Sequence, residues 1–151
     1  MAALLFDTSA LVKRYDLAEA GARRVRALCR LSSGHTILIA PITAVELAAA
    51  LNRKVREGRF GPVQRDLMWR LFLAHRRQRY HTLALDNPLY DHAARLPFAH
   101  PLRGYDAVQL ACGLYARRLL AAVTSDVRLC TADQRLATAA AVEGLLVEFI
   151  P

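Results

Sequence analysis

Apolar residues follow two rhythms along this chain. The runs Ala2 to Phe6, Ile37 to Ala40, Val127 to Cys130 and Leu145 to Ile150 are short and nearly continuous, as in strands buried on both faces. Tyr80 to Leu85 alternates and predicts a further strand. Between these runs, apolar positions three and four apart predict helices. Ala10 to Tyr15 and Ala18 to Leu31 carry Leu11, Val12, Val25, Leu28 and Leu31 inward. Pro41-Ile42-Thr43 opens a helix that runs to about Glu57, where Gly58 stops it. Val63 to Arg77 turns Leu67, Leu71 and Phe72 to the core, and Asn87 to Leu96 precedes a loop at Pro97 to Pro101. Tyr105 to Leu119 and Asp133 to Val142 complete the set. Strands separated by helices predict an α/β fold, a parallel sheet covered on both faces. In such sheets ligands sit beyond the carboxyl ends of the strands.

Composition narrows the class. The chain has 151 residues, 54% apolar and 23% charged, with no linker, repeat or low-complexity tract, so a single domain over 1–151 is expected. Its apolar N-terminus lacks a basic region and meets Asp7 at once, which reads as a first strand and not a signal peptide. No apolar run approaches the roughly 20 residues that span a bilayer. Cys29, Cys112 and Cys130 are widely spaced, and His35, His75, His81, His92 and His100 show no zinc-type spacing. A cytoplasmic protein with reduced, packed thiols is expected. The formal charge of +8 and sequence pI of about 10.1 favour anionic partners, nucleic acid first. Arginine clusters at Arg23 to Arg30, Arg53 to Arg59 and Arg76 to Arg79 also fit a solvated helix surface, but that does not explain the net excess.

The chemistry lies in the carboxylates. Asp7, Asp106 and Asp133 each fall where one element hands over to the next, in Phe6-Asp7-Thr8-Ser9-Ala10, Gly104-Tyr105-Asp106-Ala107 and Cys130-Thr131-Ala132-Asp133. Singly, each reads as a helix N-cap. Together at one sheet edge they would repel unless protonated or neutralised by cations. Glu46 has no capping role; with Ile42, Thr43, Ala49 and Ala50 as its helical neighbours it should face inward, needing either Arg53 or a shared metal. Thr8, Ser9 and Thr131 could orient these acids or cap their own helices. Asp126 lies before its strand, at the opposite edge, while Asp16, Glu19 and the other acids look like surface or cap residues. Trp69 suits the core or a subunit contact. An all-oxygen pocket favours Mg2+ or Mn2+, which can clamp and hydrolyse a phosphodiester.

The segments Asp7-Thr8-Ser9-Ala10-Leu11-Val12-Lys13, Val45-Glu46, Tyr105-Asp106-Ala107-Val108-Gln109-Leu110-Ala111 and Thr131-Ala132-Asp133, in this order, resemble the motifs of PIN-domain ribonucleases, and the length is similar to that of VapC-type toxins. The resemblance implies a three-layer PIN-like sandwich with sheet order 3-2-1-4-5. It also implies a Mg2+- or Mn2+-dependent endoribonuclease acting on tRNA or rRNA as the toxin of a toxin–antitoxin pair. Asp7 and Asp106 then match the main metal ligands, Glu46 the acid of the second helix, and Asp133 the fourth acid. A homodimer and a VapB-type antitoxin follow as expected partners. Two other readings stay open: a non-catalytic PIN-like module that binds RNA or a partner protein, and a phosphoacceptor receiver domain. The latter needs a lysine near the last strands, and Lys13 and Lys54 are the only lysines.

Overall fold

A computed structural model describes residues 1–151. Five parallel strands form one sheet in the order β3-β2-β1-β4-β5: β1 Ala3–Phe6, β2 Thr36–Ile39, β3 Tyr80–Thr82, β4 Val127–Thr131 and β5 Leu146–Phe149. Seven helices connect them: α1 Thr8–Leu11, α2 Ala22–Leu28, α3 Ile42–Arg56, α4 Pro62–Gln78, α5 Asn87–Ala99, α6 Gly104–Leu119 and α7 Gln134–Val142. The three-layer architecture and the strand order are those expected.

The pleat of β1 sorts the core into two layers. Ala3 and Leu5 join Leu38, Leu129 and the inner faces of α5, α6 and α7. Leu4 and Phe6 join Ile37, Ile39, Cys130 and the inner faces of α1, α2, α3 and α4. Gly113 lets α6 pack closely against Leu145, just before β5, because a Cβ there would meet Leu145 Cδ2 at 2.6 Å. Gly58 ends α3 with φ +71°, a conformation that L side chains resist. No helix is long and apolar enough to cross a membrane.

Several expectations need correction. The helix predicted through Leu31 ends at Leu28, and a separate 3-10 turn leaves Leu31 78% exposed. On α4 the inward stripe is Met68, Trp69, Phe72 and Leu73, so Leu67 and Leu71 face outward at 59% and 49% exposure. Trp69 packs against Phe72 with ring centroids 5.3 Å apart. Helix α5 continues through Pro97 to Ala99, where a loop was expected. A proline there removes one N–H and crowds the carbonyl four residues back, but buried Leu96 packs the turn onto the core and its carbonyl accepts from His100 N at 2.9 Å. Asp16 is not a surface acid: it is buried and receives Lys54 Nζ at 2.8 Å, and Lys54 also pairs with Glu19. All three cysteines are free and buried, as their apolar surroundings suggest.

Candidate active site

The central strands β1 and β4 run side by side and end together, with Phe6 opposite Cys130. Asp7 follows β1 and caps α1, accepting from Ala10 N at 2.9 Å. Its carboxylate also accepts from Ser9 Oγ at 2.8 Å and from Thr131 Oγ1, at the end of β4, at 2.7 Å. Ala132 N in turn donates to Ser9 Oγ at 2.9 Å. These bonds tie together two strand ends that are remote in sequence, and they leave Asp7 only 4% exposed. Burial, opposed by the three donors and reinforced by the charge of Glu46, raises the Asp7 carboxyl from 3.8 to about 6.

Glu46 sits on α3 and is half-buried. Arg53 does not neutralise it, because that guanidinium reaches Glu57 instead. Its carboxylate accepts from Thr8 Oγ1 at 3.1 Å and from Gln109 Nε2 at 2.9 Å. Burial pushes its pKa up, the two hydrogen bonds pull it down, and Asp106 pushes it up again. Asp106, in the first turn of α6, is raised by burial and then by Asp133, while Arg103 and Arg135 act in the opposite sense. Asp133 follows β4 and caps α7, accepting from Arg135 N at 2.8 Å and Leu136 N at 3.1 Å.

The four predicted acids thus form a succession at the carboxyl edge of the sheet, in which Asp7 feels Glu46, Glu46 feels Asp106 and Asp106 feels Asp133. No three His, Cys, Asp or Glu side chains stand close enough to make a preformed metal cluster. The donor chemistry still fits a hard cation: every group is a carboxylate oxygen, and the mutual repulsion is of the kind that positive charge relieves. Thr8 serves Glu46, while Ser9 and Thr131 serve Asp7. Asp126 lies at the far edge and binds Arg128 at 2.6 Å.

Gln109 and Thr43 escaped the sequence reading. Gln109 is 1% exposed, and its Nε2 donates to Thr43 Oγ1 at 3.0 Å as well as to Glu46. Its Oε1 is the one buried side-chain polar atom without a hydrogen-bond partner, a condition that costs about 1–3 kcal/mol. The signal available was a lone amide within the apolar run Ala107 to Leu114.

Comparison with known proteins agrees with this geometry. A search among curated proteins finds no match. Solved structures share the fold along nearly the whole chain. VapC20 of Mycobacterium tuberculosis, a sarcin–ricin loop cleaving toxin, aligns with a TM-score of 0.66 and 17% identity over 99% of this chain and 100% of that one. VapBC2 of Rickettsia felis, bound to a DNA fragment from its promoter, gives 0.64 and 12% over 98% of each chain. PAE2754 of Pyrobaculum aerophilum gives 0.62 and 22% over 97% of this chain and 90% of that one. At such identities the likeness speaks for the fold alone. The family model named PIN domain, however, matches residues 4–140 and takes in Asp7, Glu46, Asp106 and Asp133, so the chain belongs to the PIN domain family.

Proposed function

We propose that this protein is a metal-dependent endoribonuclease that hydrolyses phosphodiester bonds in tRNA or rRNA, acting in the cytoplasm as the toxin of a toxin–antitoxin pair. One observation carries the reading: four carboxylates from distant parts of the chain gather at the carboxyl edge of the sheet, where burial and then neighbouring charge raise the proton affinity of Asp7, Glu46 and Asp106. Membership of the PIN domain family supports it. The single domain spans residues 1–151, and the structurally similar VapC20 is a sarcin–ricin loop cleaving toxin.

Asp7, Glu46, Asp106 and Asp133 would hold Mg2+ or Mn2+, which when bound supplies charge neutralisation at the scissile phosphate and a more acidic water. The protein's own contribution is placement. Ser9, Thr131 and the Ala10 amide fix the Asp7 carboxylate, and Thr8 and Gln109 fix that of Glu46. Exposed Arg103 and Arg135 flank Asp106 and would receive the phosphates on either side of the cut. Attachment by phosphate alone is sequence-neutral, so the choice of RNA rests on unpaired bases presented at this edge.

Outward-facing Val45 on α3 and Val63, Leu67 and Leu71 on α4 offer apolar area for a VapB-type antitoxin. The chain also pairs with a second copy of itself, which sedimentation would register as twice the 16.8 kDa protomer. The decisive experiment incubates cellular RNA with antitoxin-free protein in Mn2+ or Mg2+, beside EDTA and an Asp106→Asn control. Discrete metal-dependent fragments absent from the control are expected. RNA affinity that persists in EDTA with no product in any metal would refute catalysis and leave a non-catalytic binding module.

A further inference from the structure

Gln109 occupies a position that hydrophobic packing alone would give to leucine. Its neighbours Ala107, Val108, Leu110, Ala111 and Cys112 are all buried apolar residues. An amide there must be desolvated, and this one recovers only half of its bonding capacity: both contacts use Nε2, and Oε1 has none. The contacts it does make are specific. One anchors the amide to Thr43, which is fully buried on α3, and the other reaches the Glu46 carboxylate 2.9 Å away. Gln109 also stands one helical turn after Asp106, so the same helix delivers one acid and grips another. Glu46 has one further donor, Thr8 Oγ1 at 3.1 Å. Without the amide, Thr8 alone would hold a half-exposed glutamate with three rotatable bonds.

We propose that Gln109 is a positioning residue, whose side-chain amide, braced by Thr43, aims the Glu46 carboxylate of α3 along the carboxyl edge of the sheet towards Asp106 of α6. The inference rests on the metal-dependent nuclease reading. It assigns the amide no contact with RNA, and its effect passes through Glu46. Removing partners that orient a metal ligand lowers metal affinity or activity by about 10–100-fold, and an effect of that size is expected.

The test uses Gln109→Leu, which keeps volume and removes the amide; Gln109→Asn, whose amide is one methylene too short; and Thr43→Val, which removes the brace. Mn2+ affinity is measured by electron paramagnetic resonance, thermal unfolding is followed in EDTA, and kcat and KM are taken on RNA. Gln109→Leu and Gln109→Asn should bind Mn2+ at least about ten-fold more weakly and lose kcat with KM nearly unchanged. Thr43→Val should fall between them and the parent. Gln109→Leu should unfold in EDTA near the parental temperature, because it removes the orphaned oxygen but also leaves the Thr43 hydroxyl without its partner. Parental Mn2+ affinity in Gln109→Leu would overturn the proposal. So would losses that track falling unfolding temperatures across all three variants, since that marks a merely structural role. If the parent protein binds no Mn2+, this proposal and the nuclease reading fail together. If it binds Mn2+ without cutting RNA, only the nuclease reading fails, and the Mn2+ titrations still decide the role of Gln109.

Discussion

Replacing Asp7 by asparagine should stabilise the metal-free protein at neutral pH and do the reverse in acid. Folding raises the Asp7 carboxyl from 3.8 to about 6. At 1.36 kcal/mol per pH unit, that shift makes ionised Asp7 cost the fold about 3 kcal/mol. Between the two values the folded protein keeps a proton that the unfolded chain has released, so stability falls as pH rises through this window. Above the folded value the penalty is complete, and below the unfolded value it vanishes. Asparagine removes the titration but bonds less strongly to Ala10 N, Ser9 Oγ and Thr131 Oγ1, at a cost of about 1 kcal/mol. Asp7→Asn should therefore be less stable than the parent by about 1 kcal/mol below pH 4 and more stable by about 2 kcal/mol above pH 6.5. The latter amounts to about 4–8 °C for a domain of this size. Urea unfolding of both proteins in EDTA across this pH range gives the difference directly. A difference that stays constant with pH would refute the assignment of a buried, proton-retaining Asp7.

His75 acts in the opposite sense. Burial, then Arg14 and Arg79, lowers it from 6.5 to about 4, so its contribution is complete above pH 6.5 and is lost as pH falls through about 4. His75→Gln should move the acid midpoint of unfolding to lower pH, and an unmoved midpoint would count against the half-buried neutral imidazole. Lys54→Met strands the buried Asp16 carboxylate and should cost about 3–5 kcal/mol in urea unfolding, whereas a loss under about 1 kcal/mol would mean that Asp16 reaches water. Gly113→Ala, favourable in an ordinary helix, should destabilise by about 1–3 kcal/mol because its methyl collides with the buried Leu145 side chain; a raised melting temperature would show that Leu145 can turn aside.

Element order was legible because each strand is a short apolar run between helices, and the strand order followed from the motif resemblance. Side-chain phase was less legible. Leu67 and Leu71 share a helical stripe, yet Met68, Trp69 and Phe72 form another of similar apolarity, and the neighbouring α3 and β3 select the second. Pro97 suggested a break because local rules count the missing N–H, while the packing of Leu96 lies outside their reach. Among the site residues, Asp7, Asp106 and Asp133 were readable as carboxylates at element junctions. The partners of Glu46 were not: proximity suggested Arg53, two turns along the same helix, whereas the bonds come from Thr8 and Gln109, which are 38 and 63 residues distant. Buried Asp16 was misread for the same reason, since its cation, Lys54, lies 38 residues further along the chain.

The knot joining the ends of β1 and β4 also sets a timetable. Asp7 and Thr131, which secures its carboxylate, stand 124 residues apart, so their contact closes across most of the described chain. Until β4 pairs with β1, the first strand lacks a neighbour on that side and the Asp7 carboxylate has only its local donors, Ser9 Oγ and Ala10 N. The site is therefore completed only by a long-range strand pairing, whose loop-closure entropy must be met before the Asp7–Thr131 bond rewards it.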